Sequence, residues 1–108
     1  SKLFGRSKNP RVLGRFVGAV DRAAIAEAWA RAARCSAASS EAVCVFLMAS
    51  DVAPSRQLAE AIAEQRRKPA KGGKVVLIPV DARNWDAHVP TDAPEIAKTL
   101  LSRLRSGG

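Results

Sequence analysis

Residues 42–51 read Ala-Val-Cys-Val-Phe-Leu-Met-Ala-Ser-Asp, an unbroken apolar run closed by Ser50 and Asp51. A strand with one face in water alternates apolar and polar residues. A run with no polar position belongs to a strand covered on both faces, the habit of an inner strand of a parallel sheet. Thirty residues in either direction the same ending recurs, as Val-Gly-Ala-Val-Asp at 17–21 and Leu-Ile-Pro-Val-Asp at 77–81. That interval holds one strand and one returning helix, so the repeat reads as successive β-α units. The fold class expected is α/β, a small three-stranded parallel sheet with strands at about 11–20, 42–49 and 74–79 and helices at about 22–34, 54–68 and 93–105.

Working outward, residues 11–20 have two readings. As a strand, Val12, Phe16 and Val20 share one face with Gly14 and Gly18, and Arg11, Leu13, Arg15 and Val17 line the other. As a helix, Leu13, Phe16, Val17 and Val20 form a stripe. The two glycines disfavour a helix and the 30-residue phase supports the strand. The first helix is capped by Asp21 and carries Ile25, Ala28, Trp29 and Ala32 inward, with Cys35 to Ser40 as a small-residue loop. The second buries Leu58, Ala61 and Ile62 and stops at Lys68-Pro69. Pro79 has no N–H for a ladder, so the third strand either stops there or has an edge on that side. The last helix follows an Asp92 to Glu95 capping box and turns Ile96, Leu100, Leu101 and Leu104 inward. Residues 1–10 read as a basic arm or linker, with Lys2, Arg6 and Lys8 and no acid. Residues 11–106 read as a single domain; Ser1 in place of an initiator methionine points to a domain cut from a larger protein.

The 108 residues carry 18 Lys and Arg against 10 Asp and Glu, a net charge of +8. Such an excess suits an acidic protein surface or a nucleic-acid backbone. The absence of a long apolar run and of a leader pattern gives the expectation of a cytoplasmic protein without a transmembrane segment. Two cysteines, Cys35 and Cys44, and one histidine, His88, leave too few ligands for a His/Cys zinc site.

Topology sorts the charges. Asp21, Asp51, Asp81, Asp86 and Asp92 all follow a strand and precede a helix. Arg31, Arg34, Arg66, Arg67, Lys68, Arg103 and Arg105 end helices, and Lys71 and Lys74 lead into a strand. The carboxyl edge of the sheet is therefore acidic and the amino edge basic. Helix dipoles favour the same arrangement without any ligand, by about 0.3 to 1 kcal/mol per charge. The excess of base is what dipoles leave unexplained.

Open α/β sheets bind ligands at their carboxyl edge. There Asp51 and Asp81 are candidate catalytic carboxylates and candidate magnesium ligands, and His88 is a candidate proton carrier. In the loop from 81 to 90, Arg83 reads as an anion clamp, Asn84 as a polar contact and Trp85 as a stacking platform. Neither Gly-x-Gly-x-x-Gly nor Gly-x-x-x-x-Gly-Lys-Ser/Thr occurs, which disfavours a nucleotide-dependent enzyme. The reading preferred is a non-catalytic docking module. Arg66, Arg67, Lys68, Lys71 and Lys74 form its binding surface, joined for a phosphate backbone by Lys2, Arg6, Lys8, Arg11 and Arg15. Its partner is an acidic protein, a nucleic-acid backbone, a neighbouring domain of the parent protein or a second copy of the chain. The alternative is a metal-dependent hydrolase or phosphoryl-transfer domain using Asp51 and Asp81, with no other cofactor expected.

Overall fold

The computed structural model describes residues 11–68, 74–91 and 93–107, and the backbone alone at 105–107. The expectations for residues 1–10, Lys71, the Asp92 cap and the Arg105 side chain lie outside the described residues. The chain is α/β. Its elements run β1 (Arg11–Phe16), α1 (Arg22–Ser39), β2 (Val43–Ala49), α2 (Ser55–Arg67), β3 (Val75–Asp81), β4 (Asp86–Ala87) and α3 (Glu95–Gly107). The sheet has four strands in the order β1-β2-β3-β4. β1, β2 and β3 are mutually parallel, with Arg11 beside Val43 and Val43 beside Val75. The expected three strands are thus joined by a fourth. β4 pairs antiparallel to β3 through only Val80 with Ala87 and Asp81 with Asp86; two residues are too few to leave a periodic signature.

The continuous apolar run is the inner strand, and alternate residues face two different cores. Leu47 and Ala49 pack with Ile25 and Ala28 of α1 and with Leu58, Ala61 and Ile62 of α2. Cys44 and Phe46 pack with Val76, Ile78 and Val80 and with Ala97 and Leu101 of α3. Because β1, β2 and β3 are laid down in one direction across the sheet, both crossovers turn the same way and put α1 and α2 on one face. α3 follows the β3–β4 hairpin to the other face. No helix among the described residues is long and apolar enough to cross a membrane.

Three boundaries and one helix face differ from expectation for physical reasons. β1 stops at Phe16 rather than residue 20. The chain bends at Gly18, and Val20 makes a single parallel bridge to Val52. Val20 therefore joins the core beneath α1 and α2, while Val12 packs on the opposite face. α1 continues through the expected loop to Ser39, since alanine is the best helix former and nothing before Ser40 breaks the ladder, so Arg31 and Arg34 do not end it and its last turn holds no basic residue. Ser40 ends it in the left-handed region at φ 60°. β3 runs through Pro79 to Asp81. Val43 N–H donates to Lys74 and Ala82 N–H to Ala49, so the even-numbered β3 residues donate to β2 and Pro79 turns its missing donor away from it. Pro79 still accepts from His88 N–H at 2.9 Å. On α3, Ala97 and Leu101 are the buried pair, and Leu104 is 38% exposed instead of inward.

Candidate functional site

At the carboxyl edge the side chains of Asp21 and Asp81 each meet a local structural demand. Asp21, extended before α1, accepts from Ala24 N–H through Oδ1 at 2.9 Å, filling the N-cap role its position implied. Asp51 accepts from Val20 N–H through its backbone oxygen at 2.8 Å, and its side chain is exposed. Asp81 is taken up by Arg83: Oδ1 accepts from the Arg83 backbone N–H at 2.9 Å and from Nε at 3.1 Å, and Oδ2 accepts from an Nη at 2.8 Å. These bonds, the side-chain ones first, hold the Asp81 carboxyl below its ordinary value of 3.8. The Arg83 guanidinium is held above its own ordinary value by the same contact, with a smaller attraction from Asp51. The expected anion clamp is therefore clamped on a carboxylate of its own chain.

The loop that follows divides its residues between the faces. Asn84 Oδ1 accepts from Asp86 N–H at 2.9 Å, and Trp85 N–H donates to Asp81 at 2.7 Å. Trp85 sits at φ 62°, a left-handed conformation costing an L residue about 1 kcal/mol. Its ring packs against the core beneath α3, which offsets that cost. His88 instead lines a cavity of about 280 Å³ on the α2 side, with Asp81, Asp86, Ser55 and Leu58. Trp85 is not part of that lining, so the two ring-bearing residues of the loop do not converge. Among the described residues no group of three or more His, Cys, Asp or Glu side chains is placed to hold a metal ion.

No family model, curated protein or solved structure matches this chain. The functional reading rests on its own geometry.

The amino edge is built around Ser36, which is 2% exposed near the end of α1. Its hydroxyl donates to the Glu41 carbonyl and accepts from Lys74 N–H at 3.1 Å. Lys74 O accepts from Val43 N–H, and Ala42 O from Arg11 N–H. One buried hydroxyl thus ties the end of α1 to the starts of β2 and β3 and holds Arg11 and Lys74 along the same edge. α2 ends close by in sequence, with Arg66, Arg67 and Lys68 exposed. Lys68 is extended, as a residue before proline prefers. Arg34, Arg67, Lys68 and Lys74 make no ion pair among the described residues. Elsewhere Arg22 bonds Glu64 at 2.8 Å and Arg31 bonds Glu27 at 3.4 Å.

Sequence reasoning missed Ser36, because a serine among small helical residues carries no mark of burial. It also missed the Asp81–Arg83 pair, for which the two-residue spacing was an available signal: aspartate readily bonds the backbone two residues on.

Proposed function

We propose that this domain is a non-catalytic docking module whose basic amino edge receives an acidic partner protein. The observation that carries this reading is the difference in charge pairing. Arg83 is engaged by Asp81 at the carboxyl edge, whereas Arg34, Arg67, Lys68 and Lys74 lack acidic partners among the described residues. A dipole-matched helix end needs no such surplus, and a like-signed unpaired cluster steers an oppositely charged partner. An acidic protein suits the surface better than a nucleic-acid strand. Trp29 and Trp85 pack against the core, and the exposed Phe16 sits at the carboxyl end of β1, away from the basic edge, so no described aromatic ring joins the cluster as a stacking platform.

The test uses labelled polyglutamate, with binding followed by fluorescence anisotropy from about 50 to 300 mM salt. Saturable binding that weakens with salt, and falls about tenfold in the Arg67→Glu, Lys68→Glu double variant, supports the reading. Equal binding by the double variant removes the amino edge. A duplex DNA probe that binds more tightly than polyglutamate moves the partner class to nucleic acid.

The alternative, a metal-dependent hydrolase on Asp51 and Asp81, draws on the cavity beside Asp81 and His88. It must displace Arg83 from both oxygens of Asp81. Magnesium-dependent broadening at Asp51 and Asp81 in an NMR titration favours it; unchanged spectra at millimolar magnesium dismiss it.

A further inference from the structure

β1 is an end strand of the sheet. Arg11 N–H donates to Ala42 at 2.8 Å and Val17 N–H to Met48 at 2.9 Å, so the odd-numbered residues address β2. Backbone direction alternates along a strand, and Val12, Gly14 and Phe16 therefore turn their N–H and C=O groups to the open side. No strand among the described residues pairs there. Such an edge is a template for another strand unless a charge, a proline or a covering element blunts it.

The side chains around this edge have a definite chemistry. On the α1 side, Leu13, Gly14 and Arg15 line a cavity of about 210 Å³ with Ala28, Arg31 and Ala32 of α1. Its floor is apolar and two arginines stand at its rim. Arg15 has no acidic partner among the described residues, and Arg11 turns its guanidinium to Cys35 Sγ at 3.7 Å, not to a carboxylate. On the other side Gly14 leaves the Met48 methyl uncovered, 3.1 Å from where a Cβ would stand, and Phe16 is 68% exposed. A second copy of β1 would bring arginines against arginines, which destabilises a strand pair. Residues 1–10, with Lys2, Arg6 and Lys8 and no acid, repeat that mismatch.

We propose that β1 receives an extended acidic segment of a partner protein as a fifth strand. Main-chain bonds to Val12, Gly14 and Phe16 supply the affinity. Two carboxylates of the segment face Arg11 and Arg15, and a valine-sized side chain between them enters the cavity against Leu13. The proposal rests on the reading of the domain as a dock for acidic partners, and it adds a second surface with a backbone mode of recognition.

The probe is a fluorescein-labelled Glu-Thr-Val-Thr-Glu peptide flanked by glycines, whose pattern is the same in either strand direction. Three results support the proposal: binding weakened about tenfold by Arg15→Glu, a similar loss in Phe16→Pro, and a similar loss on N-methylation of the peptide amides that would face β1. Phe16 N–H is outside the β1–β2 ladder, so Phe16→Pro leaves that ladder intact. The N-methylated peptide makes the same test on the unaltered domain if the variant fails to fold. Absence of binding overturns the proposal, as does a Kd indifferent to both Phe16→Pro and N-methylation. A dimer that Phe16→Pro dissociates also overturns it, in favour of a second copy. If polyglutamate binding survives in any of these cases the amino-edge reading stands without β1; if it is lost as well, both fall.

Discussion

Asp81 at the carboxyl edge is gripped through both oxygens by Arg83, and Asp21 is spent on the first turn of α1. At the amino edge Arg34, Arg67, Lys68 and Lys74 stand in solvent with no carboxylate against them among the described residues. The two edges look symmetrical in sequence, each a set of like charges placed where helix dipoles favour them. In three dimensions Asp21 and Asp81 are bound within the fold while Asp51 stays exposed, and of the basic set Arg31 and Arg66 are engaged while Arg34, Arg67, Lys68 and Lys74 meet no carboxylate among the described residues. Asp81 has the Arg83 amide and guanidinium to satisfy it, and Asp21 the Ala24 amide. Arg67 and Lys68, at the end of α2, have only carbonyls and water near them, whereas Arg34 lies short of the last turn of α1, which holds no basic residue, and is simply exposed.

The largest effect expected concerns the hydroxyl that holds the amino edge together. Ser36→Ala removes the buried hydroxyl that partners the Lys74 N–H and the Glu41 carbonyl at a part-buried point and should destabilise the domain by about 2 kcal/mol in urea unfolding. A loss under about 0.5 kcal/mol would mean the edge is not assembled through Ser36.

The Arg67→Glu, Lys68→Glu double variant sharpens the contrast directly. It should lower affinity for polyglutamate about tenfold at roughly 50 mM salt and leave thermal stability nearly unchanged, because both side chains are exposed. At the opposite edge, Asp21→Ala should cost about 1 kcal/mol of stability through the lost Ala24 bond and leave polyglutamate binding untouched. A gain in binding without a loss of stability would show that Asp21 acts by repulsion and not as a cap.

The smallest effect is the titration of Asp81. Its carboxyl is held below 3.8 in the folded state, so its contribution to stability is present above that value and is lost as pH falls through the lower folded value. Arg83→Ala should raise the Asp81 midpoint toward 3.8 in a ¹³C carboxyl titration and flatten the acid limb of the stability curve. An unmoved midpoint would mean that Arg83 does not engage Asp81 in solution.

The legibility of these features followed from how much sequence each occupies. β2 was plain because seven successive residues lie between two cores. The stripes of α1 and α2 were plain because several residues repeat one spacing, and Asp21 marked the start of α1. β4 was invisible at two residues. The end of α1 was misplaced because Cys35 to Ser39 are small rather than helix-breaking, and Val20 changed face because a bend at Gly18 interrupts the period. At the site, the positions of the charges were readable, but their pairing was not. Whether Arg83 meets an external anion or Asp81 depends on a turn geometry that two residues in sequence only suggest. The ring of Trp85 went to the core beneath α3 for a similar reason: a left-handed backbone at that residue redirects the chain.

The most direct measurement is a ¹⁵N heteronuclear titration of the domain with polyglutamate at low salt, read residue by residue. Shift changes centred on Arg34, Arg67, Lys68 and Lys74, with Asp51, Asp81 and His88 still, are the result expected. Changes centred on Asp81, Arg83 and His88 with the amino edge still would contradict the assignment of the basic edge as the docking surface.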